Sequence, residues 1–313
     1  MPGLRVYEGL ESLPQPYVSS TVAIGTFDGV HLGHRAIIQT AIADARAHNR
    51  PALVFTFDRH PAELLAPGRV PGYLTTLKQR VKWLSALAPD AVIVARFDRS
   101  LSELAPDVFV QNILKTELGA QAIVVGTNFY FAKDRSGDVP FLMRHQSDYA
   151  FKLHALEPIA VNGSAASSTR IRELLREGKV AEAESILGHP FLLAGTVVKG
   201  QQLGRTLGFP TANLALEVAQ VVPLDGIYAV QVTLQEGRTL GGACSIGNRP
   251  TIEGAGRCIE TYLFDFEEDL YGQKMEVRFL QYLRPEVKFD SLEALILQMQ
   301  EDVRQARQIV SLF

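Results

Sequence analysis

Hydrophobic positions along the chain follow two rhythms. In the first half, short apolar runs rich in β-branched residues at Val22–Ile24, Ala52–Phe57, Ala91–Ala95 and Ala122–Val125 alternate with segments whose apolar residues recur at helical spacing. Ile37, Ile38, Ala41, Ile42 and Ala45 share one face of such a helix. Strand, helix, strand, repeated, predicts an α/β fold: a parallel sheet with helices on both faces. Such a sheet takes ligands beyond the C-terminal ends of its strands, where the loops after the first and fourth strands can meet.

From about Phe191 the rhythm changes. Leu192–Val198, Ile227–Leu234, Leu240–Ile246, Cys258–Phe264 and Met275–Tyr282 are strand candidates separated by turn-forming residues, with no helix between them, and they predict an antiparallel β-barrel. Asp290 with Glu293 reads as a helix start. Leu292, Leu295, Ile296, Met299, Val303, Ala306 and Val310 then form the apolar stripe of one closing α-helix, read as core, with a subunit contact and hence an oligomer left open. A helical segment ends at Gly188 and Pro190 blocks its continuation, so the seam falls at Ile186–Pro190, giving domains over 1–186 and 187–313.

The length of 313 residues agrees with two domains. With 31 basic and 34 acidic residues and a formal charge of −3, no global field attracts nucleic acid or an anionic membrane, so any phosphate binding must be local. The two cysteines, Cys244 and Cys258, offer neither a disulfide framework nor CxxC spacing. The first sixteen residues lack an apolar core of signal-peptide length, and no apolar run is long enough to span a bilayer; the expectation is a cytoplasmic protein.

Local phosphate chemistry first shows in GTFDGVHLGH, Gly25–His34, between a strand and the first amphipathic helix. Gly29 and Gly33 let the backbone turn and approach a ligand, and the following helix presents free N–H groups and its positive dipole end. His31 and His34, three apart at the helix mouth, can address one anion and donate to charge developing on a leaving phosphate. Two satisfied histidines beside a helix cap are the plainer reading, outweighed here by the combination. The loop Gly126–Asp138 follows a strand and presents Asn128 among Phe129, Tyr130 and Phe131; it either covers a planar ring or packs on itself. Ser167, Ser168 and Thr169 crowd a helix start with Arg170 and Arg172 behind them, more hydroxyls than one N-cap needs.

The barrel half carries GRTLGFPTANL, Gly204–Leu214, in which Pro210 fixes the backbone before Thr211 and the two-residue spacing of Thr211 and Asn213 places both on one side of an extended segment. Their hard oxygens suit Mg²⁺. SIGNRPTI, Ser245–Ile252, is a second Gly/Pro turn. Glu260 lies in a strand of otherwise apolar and aromatic residues, on the face opposite Ile259 and Thr261, as a general base or as a solvated edge carboxylate. No GxxxxGK[ST] P-loop is present.

The first of these motifs is similar to the HxGH signature of nucleotidylyltransferases, in the longer form of the bacterial bifunctional riboflavin kinase/FAD synthetases. The likeness continues through FTFDRHP (Phe55–Pro61), YLTTLKQR (Tyr73–Arg80), VVGTNFYFAKDRSGD (Val124–Asp138) and SSTRIRELL (Ser167–Leu175). In the second half GxxxGRxLGFPTAN, GIYAV (Gly226–Val230), ExxxFDFxxDLYG and LRPExKF (Leu283–Phe289) resemble riboflavin kinase. The resemblance implies a Rossmann-like nucleotidylyltransferase domain and a riboflavin kinase-like barrel with a closing helix. It implies ATP-dependent phosphorylation of riboflavin to FMN, then transfer of AMP from ATP to FMN, giving FAD and pyrophosphate, with Mg²⁺ in attendance.

By the same resemblance His31 and His34 act catalytically, and Gly25, Phe27, Asp28, Gly29, Gly33, Ser168, Thr169 and Arg170 bind ATP; Asn128, Phe129, Phe131, Arg135 and Asp138 contact flavin. In the barrel Glu260 is the base, Gly204, Gly208, Pro210, Thr211 and Asn213 bind ATP, and Thr211 and Asn213 hold the metal. The chain departs from the family pattern at Arg59, Tyr130, Ala132 and Tyr262, where Pro, Arg, Gly and His are common. Two rival readings are an enzyme with one active half and a non-catalytic flavin or nucleotide carrier.

Overall fold

Six strands form one parallel sheet: β1 (Arg5–Glu8), β2 (Ser20–Ile24), β3 (Ala52–Phe57), β4 (Ala91–Ala95), β5 (Ala120–Gly126) and β6 (Lys152–Leu156), in the order β1-β4-β3-β2-β5-β6. The computed structural model describes residues 5–161, 163–200, 204, 207–249 and 256–313. The order reverses between β2 and β5, which pair directly, so the loops after these two strands open beside each other at the switch point. Successive side chains point to opposite faces and feed two cores. Val22, Ile24, Leu53, Phe55, Ile93 and Val125 join Phe109, Leu114 and Leu142 on one side; Ala23, Val54, Val92 and Val124 join Ile38, Ala41 and Leu84 on the other.

The second core lies beneath α1 (Leu32–Ala47) and α2 (Leu77–Ser85), the first beneath a π-helix (Phe109–Glu117) and α3 (Val139–His145). A polar clamp fixes the far end of α1. Asp44 Oδ2 accepts from Thr21 Oγ1 at 2.7 Å and from Arg50 Nη2 at 2.6 Å, while His154 Nε2 on β6 lies 3.3 Å from Oδ1. Burial alone would raise the Asp44 pKa, but the Arg50 and Thr21 hydrogen bonds outweigh it and hold the carboxyl down to about 2.

The antiparallel barrel closes in the order β7-β8-β11-β10-β9-β12, built from β7 (Leu192–Val198), β8 (Thr211–Leu216), β9 (Gly226–Leu234), β10 (Thr239–Arg249), β11 (Gly256–Leu263) and β12 (Lys274–Arg284). Tyr228, Val230, Cys244, Ile246, Thr261, Val277 and Phe279 are buried within it. The intervening Ala229, Ala243, Tyr262 and Phe264 pack against Val303, Ala306 and Val310 of the last helix, α6 (Leu292–Val310). Helices α4 (Ser168–Arg176) and α5 (Val180–Leu187) precede the barrel, and Gly188 ends α5 in the left-handed conformation.

Two compact units divide the chain: one comprises the residues to Pro71 together with Leu77–Ser167, the other Gly72–Thr76 with Ser168–Phe313. Helices α4 and α5 therefore cluster with the barrel, where Arg172 Nε donates to the Gly72 carbonyl at 2.7 Å.

Three details differ from the sequence pattern. The N-cap of α6 is Ser291, which accepts from Ala294 N, rather than Asp290, because the cap must stand immediately before the first helical residue. Leu292 is 54% exposed, outside the stripe's buried part. Strands β1, β6 and β8 are additional to those the hydrophobic runs mark.

Candidate active sites

The sequence Gly25–His34 folds into a tight arch between β2 and α1. Phe27 and Val30 adopt φ of 51° and 40°, a costly left-handed backbone maintained because both side chains are driven into the core. His31 caps α1: its Nδ1 accepts from the His34 amide at 3.4 Å, which places the proton of the neutral ring on Nε2. The His31 and His34 rings stack with centroids 3.6 Å apart, and the Phe27 edge meets His34 at 5.3 Å. A Cβ on Gly33 would sit 3.1 Å from His31 Cε1 and 3.3 Å from the Ala166 carbonyl, so the close approach needs glycine.

Sequence reasoning gave no role to Arg80, which the structure places under this arch. Its side chain is 1% exposed and its guanidinium donates to the carbonyls of Thr26 at 2.9 Å and Phe57 at 2.6 Å, holding the ends of two neighbouring strands. The signal available was the arginine within an otherwise amphipathic α2.

The expected flavin contacts divide. Asn128 is exposed after β5, and Phe129 is half-buried. Phe131 belongs to the core, with its ring 5.2 Å from Phe109 and stacked at 5.6 Å on Phe129. Asp138 Oδ1 accepts from Phe141 N at 2.7 Å and caps α3. Arg135 lies over the exposed Tyr130 ring at 4.2 Å. Ser168, Thr169 and Arg170 open α4 in the other compact unit, and Arg170 is near Glu173 at 3.4 Å.

In the barrel, register brings together residues far apart in sequence. Thr211 pairs with Tyr262 and Asn213 with Glu260 across β8 and β11, and Ser245 on β10 stands opposite Glu260 on its other side. Paired residues on neighbouring strands project to the same face, here the barrel's outer one. Thr211 Oγ1 donates to Glu260 Oε2 at 3.1 Å. Asn213 is buried, and a Cβ on Gly200 would lie 2.5 Å from its Nδ2, so glycine makes the room. Gly204 accepts through its carbonyl from Leu207 N and Phe209 N, closing the turn that leads through Gly208 and Pro210 to Thr211. Arg205 and Thr206 of that turn, and Pro250–Ile252 of the Ser245–Ile252 segment, lie outside the described residues.

Thr211, Ser245 and Glu260 open onto a cavity of about 540 Å³. Leu207, Phe209, Ile227, Leu295, Met299 and Val303 give it apolar walls, and Arg284, Glu286 and Lys288 supply charge. Arg284 is held by Asp302 of α6 through two hydrogen bonds, 2.7 and 2.6 Å. The cavity thus offers a carboxylate and hydroxyls between apolar walls.

Two candidate sites, one on an α/β unit and one on a barrel, fit a nucleotide-using transferase with two activities. The family model described as FAD synthetase matches residues 14–170, and that described as riboflavin kinase matches 187–310. The chain is 37% identical over 310 residues to the bifunctional riboflavin kinase/FMN adenylyltransferase of Escherichia coli strain K12, covering 99% of both chains. The Haemophilus influenzae enzyme of the same name is 36% identical, covering 97% of this chain and 98% of the relative. The chain belongs to the bifunctional riboflavin kinase/FMN adenylyltransferase family.

Among solved structures, a Streptococcus pneumoniae protein named a macrolide-efflux protein matches with a TM-score of 0.83 at 30% identity, covering 96% of this chain and 97% of that one. That name does not carry over. Among the described residues no helix is long and apolar enough to cross a membrane.

Proposed function

We infer that this protein makes FAD in two ATP-dependent steps, riboflavin to FMN on the barrel and FMN to FAD on the α/β unit. The observation that carries the reading is the convergence of Thr211, Asn213 and Glu260 beside a cavity with apolar walls, in a chain whose His31 and His34 stack at the mouth of α1. As functional assignments, the adenylyltransferase half runs over 1–186 and the kinase half over 187–313.

In the kinase half, Glu260 accepts the proton of the ribityl 5′-hydroxyl as that oxygen forms a bond to the γ-phosphorus of ATP, and ADP leaves with the electrons of the broken P–O bond. The apolar cavity walls take the flavin ring, while the turn through Gly204, Gly208 and Pro210 lines the nucleotide phosphates. The oxygen donors of Thr211 and Asn213 fit Mg²⁺, which would neutralise phosphate charge there. In the adenylyltransferase half a phosphate oxygen of FMN attacks the α-phosphorus and pyrophosphate departs. His31, His34 and the amides opening α1 stabilise the charge that develops on it. Gly25, Phe27, Asp28, Gly29 and Gly33 shape this cradle, Ser168, Thr169 and Arg170 add phosphate contacts, and Asn128, Phe129 and Arg135 face flavin. Asp138 and Phe131 support that loop through the cap and the core. Both steps use soluble substrates, and we place the enzyme in the cytoplasm.

Incubation with riboflavin, ATP and Mg²⁺, followed by separation of products, tests the reading. FMN appearing first and FAD following is the expected course. FMN without FAD, even when FMN is supplied, would mean one active half, and no ATP-dependent product would mean a carrier.

A further inference from the structure

Both oxygens of the Glu260 carboxylate are engaged, by two different strands. Oε2 takes the hydrogen bond from Thr211 on β8; Oε1 lies 3.2 Å from the sulfur of Cys258, two residues earlier on β11 and therefore on the same face. The same sulfur is 3.2 Å from Asn213 Oδ1. A thiol is a donor toward carboxylate and amide oxygens, and its one proton is shared between these two acceptors. Cys258 is half-buried and is not part of the cavity wall that Glu260 and Thr211 form, so it stands beside the reacting groups rather than among them.

We propose that Cys258 is a positioning residue for the kinase reaction, its thiol tying the Glu260 carboxylate to the Asn213 amide. The inference rests on the kinase reading of Glu260. Carboxylates have two oxygens and rotate readily, so one whose second oxygen loses a donor presents a wider range of orientations to the substrate hydroxyl. Pinning the second oxygen narrows that range, and the shared donor couples it to the residue assigned to the nucleotide side. The chain also supplies an internal control. Its only other cysteine, Cys244, is fully buried, and both thiols lie in the kinase half, so the adenylyltransferase half contains none.

The test compares Cys258→Ala with Cys258→Ser in the full-length protein. Serine keeps a donor at the same place, whereas alanine removes it. Cys258→Ala is expected to lower kcat for FMN formation about fivefold, the size of one ordinary hydrogen bond, with the KM for riboflavin unchanged. Cys258→Ser should restore kcat to within roughly twofold, and FAD formation from supplied FMN should be unaltered in both. A second readout needs neither substrate nor metal. The S–H stretch of Cys258 in the infrared spectrum, isolated by subtracting the Cys258→Ser spectrum, should sit at the low frequency of a hydrogen-bonded thiol and rise in Glu260→Ala. Alanine and serine variants that both match the wild type, or that lose activity equally, would overturn the proposal, as would a stretch indifferent to Glu260. Should Glu260→Ala itself form FMN at the wild-type rate, the kinase reading of that residue fails instead.

Discussion

Ala132 holds a backbone conformation, φ 65° and ψ −178°, that is nearly confined to glycine. The methyl group costs strain of about 1–3 kcal/mol, against which glycine loses up to about 1 kcal/mol through the freer unfolded chain. Ala132→Gly should therefore stabilise the α/β unit by about 1 kcal/mol, read as a higher denaturant midpoint for that unit. Gly33 presents the opposite case. Alanine there must displace the His31 ring or the Ala166 backbone by a few tenths of an ångström. Gly33→Ala is expected to slow FAD formation roughly tenfold with FMN formation intact. An equal fall in both would point to misfolding.

Residue placements were legible where chemistry conflicted with its surroundings. Glu260 stood out as a carboxylate in an apolar strand, and the structure sets it on the face opposite the buried Ile259 and Thr261, as alternation predicts. Cys258 and Arg80 were not legible, because their partners are a carboxylate and an amide assembled by strand register and carbonyls at the ends of two strands. Asp138 and Phe131 show the reverse: a polar and an aromatic residue within a loop motif, occupied in a helix cap and in the core.

At the scale of elements, the strands that the hydrophobic runs marked are those buried on both faces or closed into the barrel. Arg5–Glu8 and Lys152–Leu156 escaped because they are the two edges of the sheet, with mostly exposed or half-exposed side chains and no apolar run to announce them. Thr211–Leu216 escaped as a strand because its polar start reads as a turn, and of its two pairing partners, β7 and β11, the second lies some fifty residues away. The clamp on α1 yields a pH prediction. Asp44 is depressed from 3.8 to about 2, so its contribution is complete above pH 4 and is lost as pH falls through about 2. Asp44→Asn should cost on the order of 2 kcal/mol at neutral pH and flatten the acid limb of the α/β unit's stability curve. Ser291→Ala, which removes the α6 cap, should cost about 1 kcal/mol by urea unfolding of the barrel unit.

At the scale of the whole molecule, a net charge of −3 left phosphate binding to local devices, and the two proposed here differ in design. One uses a helix mouth and stacked histidines; the other uses oxygen donors and a carboxylate aligned across neighbouring strands. A pair of single substitutions separates the two activities. Rates of FMN formation from riboflavin and of FAD formation from supplied FMN should be measured for Glu260→Ala and His31→Ala, with folding verified for each. Glu260→Ala should abolish the first rate and spare the second, and His31→Ala should do the opposite. Loss of both rates in either well-folded variant would contradict that separation.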